Sequence, residues 1–438
     1  MLKISTYLKQ ISIPIVVITF LPLTIWAIYK FPQQYVEPLQ QQIDVLKRSK
    51  ADPKDLATQL KGRLEVENAT RTGTIQGVGG FLVLVTLYIS WRNLKATEEK
   101  QVAERFSKAI EQLGNKDNIH SRLGGIYALE QIAKDAEEKY YWQVMETLTA
   151  YVRERSPYPP KQSNEKTGQT ETEDIPPLPT DIQAVMTVLG RRKHSYKNGE
   201  DHRLDLKKTD LRGLQLQPEA KLEGADFTEA CLQKAVLWKV ELQGALFIRA
   251  NLKGAELREA KLLDADLRQS NLESADLKLA KLQRADLSMA NLQAAGFTQA
   301  NLYQAHLTAA NLLGSCFDKA NLQEAHLEGA NPQLEQVNLH LKYFGQLSYF
   351  GDANLQGAIL TGANLQKSIF GKANLKSAVL AKANLEGAWL KEANLKNANL
   401  QDAIGLKWEQ LKETTSYEGA LLPDYLLQKN QPKTKDKQ

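Results

Sequence analysis

From Leu222 to Leu327 every fifth residue is Leu or Phe, 22 positions in succession, and the residue two places before each is Ala except at Val240, Ser270 and Ser315. A second run holds Leu355, Leu360, Leu365, Phe370, Leu375, Leu380, Leu385, Leu390, Leu395 and Leu400, again with Ala or Ser two residues ahead. Leu206, Leu211 and Leu216 form a short run before the first. A period of five matches neither the 3.6 of a helix nor the 2 of an open strand. It is met by a chain that turns a corner once per pentapeptide, so that four pentapeptides close one square coil and each coil pairs with those above and below. Leu fills the centre of such a tube, and Ala two residues earlier leaves space for the next side. Residues 20 apart then stack, which predicts an amide ladder at Asn251, Asn271, Asn291, Asn311 and Asn331 and a column reading Asp266, Asp286, His306, His326. Between Gly329 and Asp352 the pattern is lost and Tyr343, Phe344, Tyr349 and Phe350 cluster, so an extruded loop is expected over 329–352.

The amino-terminal part follows other periods. Residues 11–29 and 72–91 carry no charge, and each is long enough to cross about 30 Å of hydrocarbon as a helix. Trp26, Tyr29, Tyr88 and Trp91 lie at their ends, where amphipathic rings prefer the headgroup level. The 42 residues between them are mostly polar, with Asp52-Pro53 placed as N-cap and first helical residue, and predict an extramembrane helical hairpin over 30–71. Within about 15 residues of the spans, six cations on the outer flanks (Lys3, Lys9, Arg92, Lys95, Lys100, Arg105) against four on the loop side (Lys30, Lys61, Arg63, Arg71) predict both termini and the repeat region in the cytoplasm of a multi-pass membrane protein. Residues 1–96 are thus expected to be a membrane anchor.

Helical stripes follow at Val102, Phe106, Ile110, Leu113, then Leu123, Ile126, Leu129, Ile132, then Tyr141, Val144, Met145, Leu148, Val152, and finally Ile182, Val185, Met186, Leu189. They predict a helical module over 97–195, in which Gly124-Gly125 lets helices approach closely. Six of the 15 prolines fall between Pro157 and Pro179, which marks residues 156–180 as an extended or disordered insert. After the repeats, Trp408, Leu411, Tyr417, Leu421, Leu422, Tyr425 and Leu426 are expected to cap the last coil with short helices over 407–427, ahead of a frayed polar tail over 428–438.

Composition removes whole classes of chemistry. Two Cys and six His occur in 438 residues, none in C-x-x-C, H-E-x-x-H or C-x-x-C-H spacing, so neither a disulfide scaffold nor a zinc finger is expected. P-loop, G-x-S-x-G and strand-linked G-x-G-x-x-G motifs are missing, and the sequence predicts no catalytic residue, cofactor or small-molecule substrate. The net charge of +5 comes from 56 basic against 51 acidic residues, which gives no field to concentrate nucleic acid.

The strings Ala265-Asp266-Leu267-Arg268-Gln269 and Ala250-Asn251-Leu252-Lys253-Gly254 resemble the pentapeptide-repeat family, which implies a right-handed quadrilateral β-helix over 203–406. Glu104-Arg105-Phe106-Ser107-Lys108-Ala109-Ile110 and Arg122-Leu123-Gly124-Gly125-Ile126 are similar to a HEAT-like segment of bacterial membrane-anchored pentapeptide-repeat proteins. The resemblance implies a non-enzymatic, membrane-tethered scaffold for protein–protein interaction, or else a topoisomerase-binding mimic of duplex DNA. With 23 basic and 22 acidic residues between Arg203 and Leu406, the repeat region is a poor copy of a phosphate rod. The expected interaction surface is Tyr343, Phe344, Tyr349 and Phe350 with the stacked Lys376 and Lys396, and the expected partners are an unidentified protein and the lipid bilayer.

Overall fold

The computed structural model describes Trp26, Lys30, Gln33, Gln34 and residues 36–49, 52–159, 177–330 and 348–429. Two compact units divide between Ala103 and Glu104.

In the first unit residues 36–48 are helical, with Val36 and Ile43 buried, and Arg63 Nη1 donates to Gln40 Oε1. Helix α1 covers Pro53–Leu113, 61 residues, and begins where Asp52 Oδ1 accepts from Lys54 N at 3.0 Å. The second arm of the expected hairpin, the expected span 72–91 and the first expected helix of the module are therefore one element, with no boundary at residue 96. The reason is that no proline follows Pro53 before Leu113. Gly73, Gly77, Gly79 and Gly80 stand in open space, and each costs only about 1 kcal/mol relative to Ala without breaking a helix. Among the described residues one helix, not two, is long and apolar enough to cross a membrane: α1, whose most apolar stretch is wholly uncovered. The expected span 11–29 lies, Trp26 apart, outside the described residues.

In the second unit the end of α1 packs with α2 (Ile119–Asp135), α3 (Glu137–Arg155) and α4 (Thr180–Gly190). Asn118 starts α2 by accepting from His120 N at 2.9 Å and Ser121 N at 3.3 Å. Of the glycine pair, Gly125 makes the close approach: a Cβ there would stand 2.7 Å from Ala109 O and Leu113 N of α1. The apolar stripes meet in a core where Ile126, Leu129, Ile132, Val144, Leu148, Val152, Ile182, Val185 and Leu189 are wholly buried. Residues 156–158, expected in the insert, instead pair with the first coil. Tyr158 N donates to Lys208 O at 2.6 Å, and Asp210 N to Ser156 O at 2.7 Å. A short pair, β1 (Ser195–Tyr196) and β2 (Gly199–Glu200), leads into the repeats.

The repeat region is a tube with four parallel bridges per coil, for example Lys261↔Lys281, Asp266↔Asp286, Asn271↔Asn291 and Asp276↔Gly296. The Leu or Phe of each pentapeptide and the Ala before it point inward and are buried throughout. Where Ser replaces that Ala at 270 and 315, its hydroxyl bonds back to the carbonyl three residues earlier, as from Ser270 Oγ to Leu267 O at 2.6 Å, whereas Ser348 Oγ donates to Leu312 O of the previous coil and Ser368 Oγ is buried without a partner among the described residues. At the corners the amide of one inward Ala donates to the carbonyl of the preceding Leu, as from Ala255 N to Leu252 O at 3.0 Å. The residue just before that Ala takes a left-handed conformation, at Gly254 (φ 64°) and equally at Glu259 (φ 56°) and Ala309 (φ 57°). This is the geometry of a type II turn, whose third residue needs φ above zero. Among the described residues no such corner residue is Val, Ile or Thr. Replacing the exposed Ala309 by Val is expected to destabilise the tube by about 1–2 kcal/mol, while Ala309→Gly is near neutral; thermal denaturation of the two variants checks the order.

The register steps three times, the last at the far end, where Asn394↔Ser416 and Asn399↔Leu421 lie 22 apart. Pairs are 21 apart in the first coil (Gln215↔Val236) and 20 from Lys221↔Glu241 onward, the extra residue falling beside Pro218. A proline lacks the donor that the ladder needs, so it sits at the step. The second step is 33 residues: Cys316↔Tyr349, Asn321↔Asn354 and His326↔Ile359. The tube therefore continues on both sides: residues 329–330 and 348–352 of the expected loop 329–352 belong to coils, and residues 331–347 lie outside the described residues. Four phenyl rings stack through this region, Phe297 on Phe317 at 4.6 Å, Phe317 on Phe350 at 5.0 Å and Phe350 on Phe370 at 4.8 Å. The far end closes under α5 (Trp408–Lys412) and α6 (Asp424–Lys429). There Gln410 Nε2 donates to Leu385 O at 3.2 Å and Ala388 O at 2.6 Å, and Trp408 Nε1 to Leu426 O at 3.2 Å.

Candidate interaction surface

Each face of the tube carries one outward residue per coil at its bridge, so its chemistry is read as a column. The predicted amide ladder is present where Asn291 Nδ2 donates to Asn271 Oδ1 at 3.0 Å and Asn311 Nδ2 to Asn291 Oδ1 at 2.9 Å. A second ladder runs through Asn301, Asn321, Asn354, Asn374 and Asn394, with steps of 3.2, 3.3, 3.0 and 3.5 Å. Counting by twenties misses it because the 33-residue step lies inside it. The same Asn oxygens accept from the amide two residues on, as Lys253 N to Asn251 Oδ1 at 3.1 Å, so these side chains hold the corners as well as each other.

In the acid and histidine column, Arg268 binds Asp266 at 2.6 Å and Asp286 at 3.7 Å, His306 stacks on His326 at 4.7 Å, and His326 Nδ1 lies 3.0 Å from Glu328 Oε1. Among the described residues no group of three or more His, Cys, Asp or Glu is placed to hold a metal ion.

Of the expected interaction residues, Tyr343 and Phe344 lie outside the described residues. Phe350 is corrected: it is wholly buried, because it occupies the inward Leu/Phe position of its pentapeptide and joins the phenyl stack. Tyr349, its neighbour, points outward and is 36% exposed. Lys376 and Lys396 do follow one another in a column, and Lys396 Nζ pairs with Glu418 Oε2 at 2.8 Å. On the face of Tyr349 the bridge residues change character along the tube. Glu256, Asp276 and Gly296 give way, past Cys316, to Tyr349, Ile369 and Trp389, the last 48% exposed.

Two buried ionic clusters at the helical end were not anticipated. Asp181, at the start of α4, accepts from Arg122 Nε at 2.8 Å, Tyr151 OH at 2.6 Å and Arg155 Nη2 at 3.5 Å. Burial alone would raise its carboxyl, but the bonds from Tyr151 and Arg122 outweigh it and hold the group below the ordinary aspartate range. Tyr151 is pushed up to about 12 by burial and by its bond to Asp181. In the second cluster Arg192 faces Glu200 at 3.2 Å, and Tyr141 OH donates to Glu200 Oε1 at 2.6 Å. Burial raises the Glu200 carboxyl and lowers Arg192. Arg192 also donates to Lys221 O at 2.6 Å and Glu223 O at 3.1 Å, so this cluster ties the helical module to the first coils. The Arg191-Arg192 pair beyond α4 was its only trace in the sequence. Nearby, a cavity of about 270 Å³ lies over Tyr141, Met145 and Val188, but its rim charges are already matched, Glu130 with Lys134 and Arg191, and Glu137 with Lys193.

The family model for pentapeptide repeats matches in eight copies within residues 220–323 and 348–404. Among solved structures, HetL, a pentapeptide repeat protein involved in heterocyst differentiation regulation from the cyanobacterium Nostoc sp., is 27% identical over 51% of this chain and 89% of its own, with a TM-score of 0.37. QnrB1, a plasmid-mediated fluoroquinolone resistance protein, is 17% identical over 52% of this chain and 95% of its own, with a TM-score of 0.26. A pentapeptide repeat protein from the Arabidopsis thaliana thylakoid lumen is 30% identical over 27% of this chain and 68% of its own, with a TM-score of 0.10. No curated protein matches the chain.

Proposed function

Because the chain is a pentapeptide-repeat protein through residues 220–323 and 348–404, we propose that it works as a non-enzymatic scaffold, tethered to a membrane through the apolar stretch of α1, that presents the faces of its tube to a partner protein. The observation that carries this reading is the tube itself. Its backbone is paired coil to coil along its length, and its outward residues form straight columns on a stiff support. The column carboxylates and histidines are tied up in ion pairs or stacks, which leaves no tuned acid–base pair for catalysis. Tethering is supported by the uncovered apolar window in α1. The near balance of acidic and basic residues speaks against the DNA-mimic alternative.

The test is proximity labelling in cells with the label fused to the full chain and to a chain lacking residues 203–406. Both should label membrane proteins, and only the full chain should label a reproducible set of additional proteins. Identical sets from the two chains would end the scaffold reading, and label confined to non-membrane proteins would end the tether.

A further inference from the structure

The outward strip Tyr349–Ile369–Trp389 differs from every other column in holding two exposed aromatic rings. Both rings pack over glycines. A Cβ at Gly351 would collide with the Tyr349 ring, and one at Gly371 would stand 3.3 Å from Trp389 Cζ3. Tyr349 is 36% and Trp389 48% exposed, with Ile369 half-buried between them. The rings are two coils apart, about 9.6 Å at the usual strand spacing. A polyproline II helix repeats every three residues, about 9.3 Å. Prolines at positions i and i+3 of such a segment would thus fall on Tyr349 and Trp389 in turn, with the intervening turn over Ile369.

Charge narrows the partner further. Residues 354–400 hold six lysines against two glutamates and no aspartate or arginine. Both glutamates are engaged, Glu386 with Gln366 at 2.9 Å and Glu392 with Lys372 at 3.9 Å. Lys367 and Lys391 flank the strip and are exposed, and among the described residues no ion pair joins either to an acidic group; the acidic Asp352 stands at the upstream end.

We propose that this strip docks an extended proline-rich segment that carries P-x-x-P with acidic residues beside it. The inference rests on the scaffold reading and names the partner's chemistry. A preformed polyproline II helix on a rigid aromatic surface pays little ordering entropy on either side. The chain itself contains a stretch of this composition, Glu171-Thr172-Glu173-Asp174-Ile175-Pro176-Pro177-Leu178-Pro179, which supplies a ready probe.

The experiment titrates the full-length protein into a fluorescent synthetic peptide of residues 171–179 and follows anisotropy. Saturable binding is expected. Trp389→Ala and Tyr349→Ala should each weaken it at least about tenfold, as losses of aromatic anchors do, with melting unchanged. Lys367→Glu with Lys391→Glu should weaken it about threefold or more at low salt. A peptide with Ala at Pro176 and Pro179 should not bind. Absence of saturable binding, equal binding by Trp389→Ala, or equal binding of the Ala peptide would overturn the proposal. Proximity labelling with full-length Trp389→Ala separates the two readings: an unchanged partner set sinks the strip and leaves the scaffold standing.

Discussion

Leu277→Lys should abolish the cooperative melting of the tube. Leu277 is wholly buried in the middle of the stack and is coupled to the next coil by its amide, which donates to Gly296 O at 2.7 Å. Removing it from the core forfeits about 1.5–3 kcal/mol of burial. The ammonium that replaces it finds only Leu, Phe and Ala around it, and an unpaired charge in such a place adds several kcal/mol more. Because each coil contacts only its neighbours, the loss is local at first and splits the stack into two shorter pieces. The measurement is a thermal melt followed by circular dichroism, with Leu277→Met as the control that should cost less than about 1.5 kcal/mol. A Lys variant that melts as the wild type does would mean that the inward column is not the source of stability.

Asp181→Ala should cost about 3–5 kcal/mol, the usual consequence of removing one partner from a buried ion pair. The side chains of Arg122 and Asp181 are 10% and 1% exposed, so water cannot take the place of the lost carboxylate. Four of its contacts come from different points in the chain, Arg122 on α2, Tyr151 and Arg155 on α3 and its own neighbour Ile182 N at 3.1 Å, so one substitution loosens three helices. The same group gives a pH dependence with a definite sign. Its folded-state pKa lies below the ordinary aspartate value of about 3.9, so its contribution is complete above that value and is lost as pH falls through the depressed one. Tyr151 acts at the other extreme: its raised pKa means that its contribution holds below about 10 and is lost as pH rises through about 12. Urea denaturation of the wild type and of Asp181→Ala across acid pH should converge as the carboxyl protonates. Parallel curves would show that Arg122 is stabilised by something else.

The tube was legible because its rule is local and repeated: a core position every five residues can be counted without knowing what it touches. The amide ladder at Asn271, Asn291 and Asn311 followed from the same count. Phe350 was misread for an equally local reason. It stands five residues before Leu355 with Ser348 two places ahead, in phase with the second run, but the neighbouring aromatics made a core ring look like part of a patch, and its stacking between Phe317 and Phe370 shows the inward position. The continuity of α1 was not legible, since a change from polar to apolar surface resembles a change of element although the backbone hydrogen bonds run on. The ionic clusters at Asp181 and Arg192 depend on partners 59 and 29 residues away, and no spacing rule encodes such distances. Tyr349 shares a face with the Glu256 and Asp276 column only through the 33-residue step.

That step also shows how the architecture separates length from geometry. Cys316 and Tyr349 bridge as neatly as Asp276 and Gly296 do, although the path between the first two is longer by more than half. A corner is thus a splice point, where foreign sequence can be inserted or trimmed while the coils on either side keep their phase. Lineages built on this plan can acquire a new appendage in one event, without having to redesign the column that carries it.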